Sequence, residues 1–353
     1  MIKKIGQRTL ALESAPALIQ WASVAGKREM EGPLSQEFDF VTGDTSFGEK
    51  TWEKAESAIQ KKAVALALEK AGLQNSDIDY VFAGDLLNQC IASSFGLREF
   101  GIPLIGLYGA CSTMAESLSL ASIFAASGCA DRCAAVASSH FCTAERQFRL
   151  PLEYGGQRTP TAQWTATAGG CVVVAAPGQG SGPRVRHVTI GKIVDLGVTD
   201  ANNMGAAMAP AAADTIKTYL EDTGTAPTDY QLILTGDLGQ VGSSILYDLL
   251  ALDQIDIAPV HNDCGLLIYD RQSQDVKAGG SGCGCSASVL CSLILGKFAR
   301  GELDNILFIA TGALLSTTSS AQGESVPGIA HLVHISADRD RPTGKPAARK
   351  GGK

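Results

Sequence analysis

Asp229-Tyr230-Gln231-Leu232-Ile233-Leu234-Thr235-Gly236-Asp237-Leu238 decides the fold, because the chain carries it twice. The earlier copy is Asp79-Tyr80-Val81-Phe82-Ala83-Gly84-Asp85-Leu86. Each copy follows a helix-like segment, Glu53–Lys70 or Ala212–Glu221, and reads as a short buried strand ending in Gly-Asp-Leu. A second echo lies downstream. Gly109-Ala110-Cys111-Ser112 opens a small-residue helix through Ser127, followed by Gly128 and a strand over Ala134–Ser138. Gly282-Cys283-Gly284-Cys285-Ser286 opens another through Ala299, followed by Gly301 and a strand over Ile306–Thr311. A separation of about 150–175 residues marks a duplicated fold and not a short repeat array. Both helices are apolar or small nearly all round, which buries them between layers. Strands alternating with helices make each half α/β with a mixed, largely parallel sheet. The expected architecture is two α-β-α-β-α halves, residues 1–175 and 176–337, face to face around two buried central helices. A long loop is expected over Glu145–Gln163, and a Pro/Gly/Lys-rich tail without structure over 338–353.

Composition narrows the function. Apolar residues are 45 % of 353 and charged residues 18 %, which excludes a disordered chain. A net charge of −7 argues against a nucleic-acid partner. The tail holds six basic and two acidic side chains, so the remainder carries −11. Lys3 and Lys4 have no apolar run behind them, and the longest uncharged run, Thr159–Pro183, is broken by polar residues, Gly and Pro. The expectation is an intracellular soluble protein whose ten cysteines are reduced. No C-x₂-C pair occurs, so Cys129-x₃-Cys133 and Cys283-x-Cys285 read as packing, as do Cys90, Cys142, Cys171 and Cys291; no metal and no cofactor is expected. Gly169-Gly170 and Gly279-Gly280 match neither a P-loop nor a dinucleotide fingerprint. Cys264 falls in a loop-like segment.

At Gly109-Ala110-Cys111 the chain resembles the nucleophile turn of ketoacyl synthases, and the duplicated fold resembles the thiolase-like superfamily. Longer strings are similar to the stage V sporulation protein AD family within it: Gly106-Leu107-Tyr108-Gly109-Ala110-Cys111-Ser112-Thr113, Ser138-Ser139-His140-Phe141, Glu153-Tyr154-Gly155, Pro160-Thr161-Ala162-Gln163-Trp164-Thr165 and Gly280-Ser281-Gly282-Cys283-Gly284-Cys285-Ser286. That resemblance implies binding of dipicolinic acid (pyridine-2,6-dicarboxylate) for uptake into the developing endospore, with membrane proteins of the same sporulation operon, at the spore inner membrane. The superfamily implies a homodimer.

Condensation needs a thiolate, a proton partner and oxyanion donors. Cys111 at a helix start suits the first. Where the synthases have His this chain has Thr235-Gly236-Asp237, and Cys283 stands at their Asn. The expectation is therefore a binding protein without catalysis; the alternatives are a cysteine-dependent condensing enzyme, with a Cys111–His140 dyad, and a scaffold with a vestigial pocket. A planar dianion would lie between the two helix ends, opened by Cys111 and by Cys285, with Cys283 beside it. Ser139 and His140 would donate to its carboxylates, with a further N–H from Gly312 in the loop matching the oxyanion hole. Asp237 must then be protonated, share a cation such as calcium, or cap the helix that follows it. His187 reads as surface, His331 and His334 as neighbours on one strand face, and His261 as a turn residue. Arg146, Arg149 and Arg158 read as a surface cluster, or as a group reaching the pocket mouth.

Overall fold

The computed structural model describes residues 1–147 and 157–338. The strands are β1 (Ile2–Ile5), β2 (Thr9–Leu12), β3 (Ala17–Ala25), β4 (Phe40–Val41), β5 (Tyr80–Gly84), β6 (Leu104–Gly106), β7 (Arg132–Ser139), β8 (Trp164–Thr165), β9 (Ala168–Ala175), β10 (Arg184–Thr189), β11 (Leu232–Thr235), β12 (His261–Asp263), β13 (Gly280–Ser281), β14 (Asn305–Ala313) and β15 (Gly328–Ser336). The helices are α1 (Lys27–Met30), α2 (Trp52–Ala71), α3 (Ile91–Leu97), α4 (Thr113–Ser127), α5 (Phe141–Gln147), α6 (Met204–Thr223), α7 (Gly239–Ala251), α8 (Cys264–Leu267), α9 (Cys283–Val289), α10 (Leu295–Arg300) and α11 (Thr317–Ala321).

The duplication is visible in the strand order. One set runs β6-β5-β7-β9-β3 and the other β12-β11-β14-β15-β10. In each set the two pairings at the outer edge are parallel and the two nearer the join are antiparallel. The sheets are thus mixed, with half the pairings antiparallel where largely parallel ones were expected. The sets meet where β10 pairs with β3 at Arg184 and Ala17, so the expected separate sheets form one continuous sheet. The N-terminal hairpin β1–β2 attaches to β10, in the second set.

Strands β7 and β9 are apolar or small on both faces because each face is covered by helices. The main core surrounds α4 and the α9–α10 stretch and draws side chains from both strand sets. Helix α2 closes the outside of the first set, and α6 with α7 that of the second. The twin central helices end alike, at Gly128 (φ 78°) and Gly301 (φ 73°), left-handed positions that cost glycine little. Helices α9 and α10 are joined by a π-helical turn over Leu290–Ile294. The stretch Cys283–Arg300 is apolar and long enough to cross a membrane by composition, yet it is mostly buried inside the protein. Its apolarity answers to the core.

Several local expectations need correction. Glu145 belongs to α5 and not to a loop. His187 is half-buried, in a network where its Nδ1 lies 3.0 Å from His334 Nδ1 and 3.2 Å from Tyr219 Oη. His331 and His334 are three residues apart on β15 and so face opposite ways: His331 accepts from the Gly191 N–H at 3.2 Å, whereas His334 bonds Asn305 Oδ1 at 2.6 Å. Cys129 is exposed, and Cys264 is buried at the start of α8. Arg149, Glu153-Tyr154-Gly155 and the tail beyond Asp338 lie outside the described residues.

Candidate functional site

After β6 the chain turns through Gly109 into a single 3₁₀ turn, Ala110–Ser112, that feeds α4. Ala110 holds φ at 50°, a strained value for a residue with a Cβ, and it delivers Cys111 to the helix start. Ser112 Oγ and Thr113 Oγ1 lock the turn by donating to Gly109 O and Ala110 O, both at 2.6 Å. Gly312, on β14, lies against this turn: a Cβ there would sit 2.2 Å from Gly109 O. A glycine is required for the approach.

Opposite Cys111 stands Asp237, fully buried just beyond β11. Its Oδ2 accepts from the Gly282 N–H at 2.8 Å and from Ser281 Oγ at 3.3 Å, and its Oδ1 accepts from Thr311 Oγ1 at 2.8 Å. The Cys111 thiol also donates to this carboxyl. Burial nevertheless pushes the Asp237 pKa up, against the pull of those donors. Asp237 therefore occupies the space between the two helix ends with its own carboxyl, and it takes the Gly282 N–H at the entry to α9.

Asp237 does not cap α7. That role falls to Asp263, at the end of β12, which accepts from the Leu238 N–H (2.9 Å), the Gly239 N–H (3.0 Å) and Thr235 Oγ1 (2.7 Å). Burial first, and then Asp237 nearby, raise Asp263 to about 7. His261 is not in a turn but on β12; its Nε2–H donates to Thr235 Oγ1 at 2.9 Å and its Nδ1 accepts from Tyr247 Oη at 2.7 Å.

The other residues expected at the site divide into two places. Cys283 is buried at the start of α9, and its thiol donates to Ser138 O at 3.0 Å. Burial raises its pKa well above the ordinary thiol range, helped by Cys111, Glu56, Asp85 and Asp237. Ser139 donates to Ala166 O at 2.6 Å and accepts from the Gly284 N–H at 3.2 Å, so it serves the entry to α9. Cys111, Asp237, Cys283, Ser139 and Gly312 thus form one packed inter-half junction. His140 is oriented elsewhere. Its Nε2–H donates to Thr45 O at 2.8 Å and its Nδ1 accepts from the Cys142 N–H at 3.1 Å, which leaves neither nitrogen for a thiol. It lines a cavity of about 250 Å³ with Lys27, Arg28, Phe141 and Trp164. A second cleft, of about 370 Å³, lies over Tyr108 between Leu86, Gln89 and Leu315. Arg146 is a surface group paired with Glu53 at 3.2 Å, while Arg158 pairs with Glu145 at 2.6 Å, both side chains about nine-tenths buried.

Sequence reasoning overlooked a group of buried acids beside the junction. Glu56 on α2 accepts from Thr143 Oγ1 at 2.5 Å through one oxygen, and the other has no partner. Burial and then Asp85 raise its pKa well above the usual carboxylate range. Asp85 accepts from the Leu87 N–H at 2.9 Å and the Ser93 N–H at 2.8 Å, and its pKa is raised by burial. The signal was present: Gly84-Asp85-Leu86 is the duplicate of Gly236-Asp237-Leu238. Among the described residues no group of three or more His, Cys, Asp or Glu side chains is arranged to hold a metal ion.

These buried groups set opposing pH dependences. Desolvation lowers His331 from 6.5 to about 4. A lowered histidine contributes stability that is complete above the unfolded value and lost as pH falls through the folded one, about 1.4 kcal/mol per pH unit inside that window. Asp263, raised from 3.8 to about 7, does the reverse: its contribution is complete below 3.8 and lost as pH rises to 7. In denaturant unfolding between pH 4 and 6.5, His331→Gln should flatten the rise of stability with pH by about one proton, and Asp263→Asn should steepen it. Slopes parallel to the parent protein in both variants would refute the assignment.

The three-dimensional relatives define the class. 3-Oxoacyl-[acyl-carrier-protein] synthase III of Aquifex aeolicus VF5 superposes with a TM-score of 0.56 at 14 % identity, over 91 % of this chain and 99 % of that one. The corresponding synthase of Pseudomonas aeruginosa PAO1 gives 0.55 at 14 % identity, over 93 % and 100 %. The chain has the thiolase-like fold of these condensing enzymes. Its sequence relationship is narrower: the model of the family "Stage V sporulation protein AD" matches residues 6–336, and Stage V sporulation protein AD of Bacillus subtilis (strain 168) is 45 % identical over 333 residues, 94 % of this chain and 97 % of that protein. The chain belongs to the stage V sporulation protein AD family.

Proposed function

We propose that this protein binds dipicolinate without catalysis and serves its uptake into the developing endospore as part of a membrane channel complex. One observation carries the non-catalytic half of the reading: the partner of Cys111 is the buried, hydrogen-bonded carboxyl of Asp237. A carboxyl with a raised pKa is no imidazole. It cannot take the thiol proton and then present a cationic donor to an acyl oxygen. The ligand and the sporulation role come from family membership. The described residues carry no surplus of positive charge to draw the protein onto anionic lipid, so residence at the spore inner membrane rests on membrane proteins of the same operon.

The reading includes a homodimer. Among the described residues strand β6 is paired on one side only, with β5, and ends the sheet. Leu104 on it, and Ile91 and Phe95 on the neighbouring α3, are exposed apolar side chains. An open edge beside such side chains suits a second copy of the chain, and a monomer mass by sedimentation would refute it.

Calorimetric titration of the whole protein with dipicolinate, with and without calcium, tests the central reading. Saturable binding is the expected result. Calcium should add little at the junction, because the Asp237 oxygens are already met by donors. Absence of binding in both titrations would overturn the reading and leave a scaffold.

A further inference from the structure

A line of hydrogen bonds runs from the surface to the acids beside Cys111, and the proposed function makes no use of it. Tyr247, half-buried on α7, has its Oη 2.7 Å from His261 Nδ1. His261 Nε2 lies 2.9 Å from Thr235 Oγ1, which lies 2.7 Å from Asp263 Oδ2. Three hydrogen bonds therefore lead from a half-buried phenol to a fully buried carboxyl. The sheet sets up this line. Strands β11 and β12 pair in parallel with Thr235 opposite Asp263, and His261, two residues earlier on β12, shares the face of Asp263.

Every member of the line both gives and takes a proton, and the line closes in two ways. With Asp263 ionised, the Thr235 hydroxyl donates to it, His261 donates to Thr235 from Nε2, and Tyr247 donates to His261 Nδ1. The other acceptor within reach of that hydroxyl, Asn262 O, is farther away at 3.4 Å. With Asp263 protonated, all three bonds reverse. The acid donates to Thr235, Thr235 donates to His261 Nε2, and His261 donates from Nδ1 to Tyr247 Oη. In both states every donor in the line meets an acceptor. Burial lowers His261 to about 4, so near neutral pH the ring carries no charge and passes a proton by exchanging one tautomer for the other.

The groups that face Asp263 come from several elements. Thr235 belongs to β11, and Leu238 and Gly239 give their N–H groups at the entry to α7. Asp237, just beyond β11, faces it as a second acid. Cys264 of α8 and Cys285 of α9 lie near both acids, and burial keeps their thiols protonated. Among the described residues no lysine or arginine adds its charge to this group. Burial first, then Asp237, bring Asp263 to about 7, where it changes charge close to neutrality.

We propose that Tyr247, His261 and Thr235 form a reversible proton relay between solvent and the buried Asp263 carboxyl. On the inward path Thr235 gives its proton to Asp263 Oδ2, and His261 gives its Nε2 proton to Thr235. Tyr247 gives its proton to His261 Nδ1, and a proton from solvent restores the Tyr247 hydroxyl. One proton enters, each of the three in the line shifts to its neighbour, and Thr235, His261 and Tyr247 end uncharged. The outward path is the reverse. The relay lets Asp263 charge and discharge beside Asp237 while the core stays closed, and so ties the charge of the Cys111 junction to the pH outside.

Ring-nitrogen NMR of the whole protein, grown on nitrogen-15-labelled histidine, reads the tautomer of His261 directly; His261→Gln assigns the signal. The proton should sit on Nδ1 roughly 1.5 units below the Asp263 value and on Nε2 roughly 1.5 units above it. In Asp263→Asn one tautomer should persist throughout. A single tautomer across that range in the parent protein, or a change of tautomer that survives Asp263→Asn, would overturn the relay. Tyr247→Phe removes only the outermost hydroxyl, at a half-buried position, and tests the path without disturbing the core. After a pH jump, the infrared band of the protonated Asp263 carboxyl should relax about a hundred-fold more slowly in this variant, since a positioned proton donor contributes about 10²–10⁴-fold. Relaxation as fast as in the parent protein would overturn the relay, because Asp263 would then exchange its proton by another route.

Discussion

Asp237→Ala should cost about 3–5 kcal/mol of folding stability, a large part of what a domain of ordinary stability has to lose. The carboxyl is fully buried and meets the Gly282 N–H, the hydroxyls of Ser281 and Thr311, and the Cys111 thiol. Removing it strands those donors and leaves a void where the two halves meet. The hydroxyls can turn to other acceptors, but the Gly282 N–H is fixed by the backbone at the entry to α9. Asp237→Asn retains an acceptor oxygen and should cost about half as much. Denaturant unfolding measures both; a loss below about 1 kcal/mol for Asp237→Ala would mean that these donors do not depend on the carboxyl.

The second large effect is on chemistry. Acyl transfer from a thioester to Cys111, and condensation after it, should be undetectable. General acid–base catalysis contributes about 10²–10⁴-fold and an oxyanion donor about 10²–10³-fold, so losing both removes on the order of 10⁴-fold or more. In our reading the positions that carry imidazole and carboxamide in condensing enzymes hold Gly236 or Asp237, and Cys283. The Gly282 N–H is already bonded to Asp237, and the Cys283 thiol to Ser138 O. A thiolate at Cys111 would also lose its donation to Asp237 and face a buried acid.

Much of the architecture was legible because the chain repeats itself. The twin Gly-Asp-Leu strands and twin small-residue helices mapped onto β5 and β11, and onto α4 and the α9–α10 stretch. Boundaries were less legible where a helix breaks its own rules. Helix α6 begins at Met204, eight residues before the expected Ala212, and runs through Pro210, a residue that in sequence marks a helix break. The N-terminal strands carry no repeat signal, and β2 finds its partner β10 far along the chain. Duplication also misled, since equal motifs do unequal work. Asp85 serves its local turn and α3, whereas Asp237 gathers Gly282, Ser281 and Thr311 of its own half and meets Cys111 of the other, and the cap expected of Asp237 is made by Asp263. Of the site residues, Cys111, Ser139, Asp237, Cys283 and Gly312 gathered as a group. His140 did not join them, because one step past the end of β7 the chain turns into α5 and its ring bonds Thr45 O.

In the reading proposed above, a condensing-enzyme fold holds a ligand and makes no bond to it. Native mass spectrometry of the whole protein incubated with dipicolinate and acyl-coenzyme A together tests it most directly. The expected result is a dipicolinate complex that disappears when the protein is denatured, and no acyl mass that survives denaturation. An acyl mass that survives, and is lost in Cys111→Ala, would contradict it.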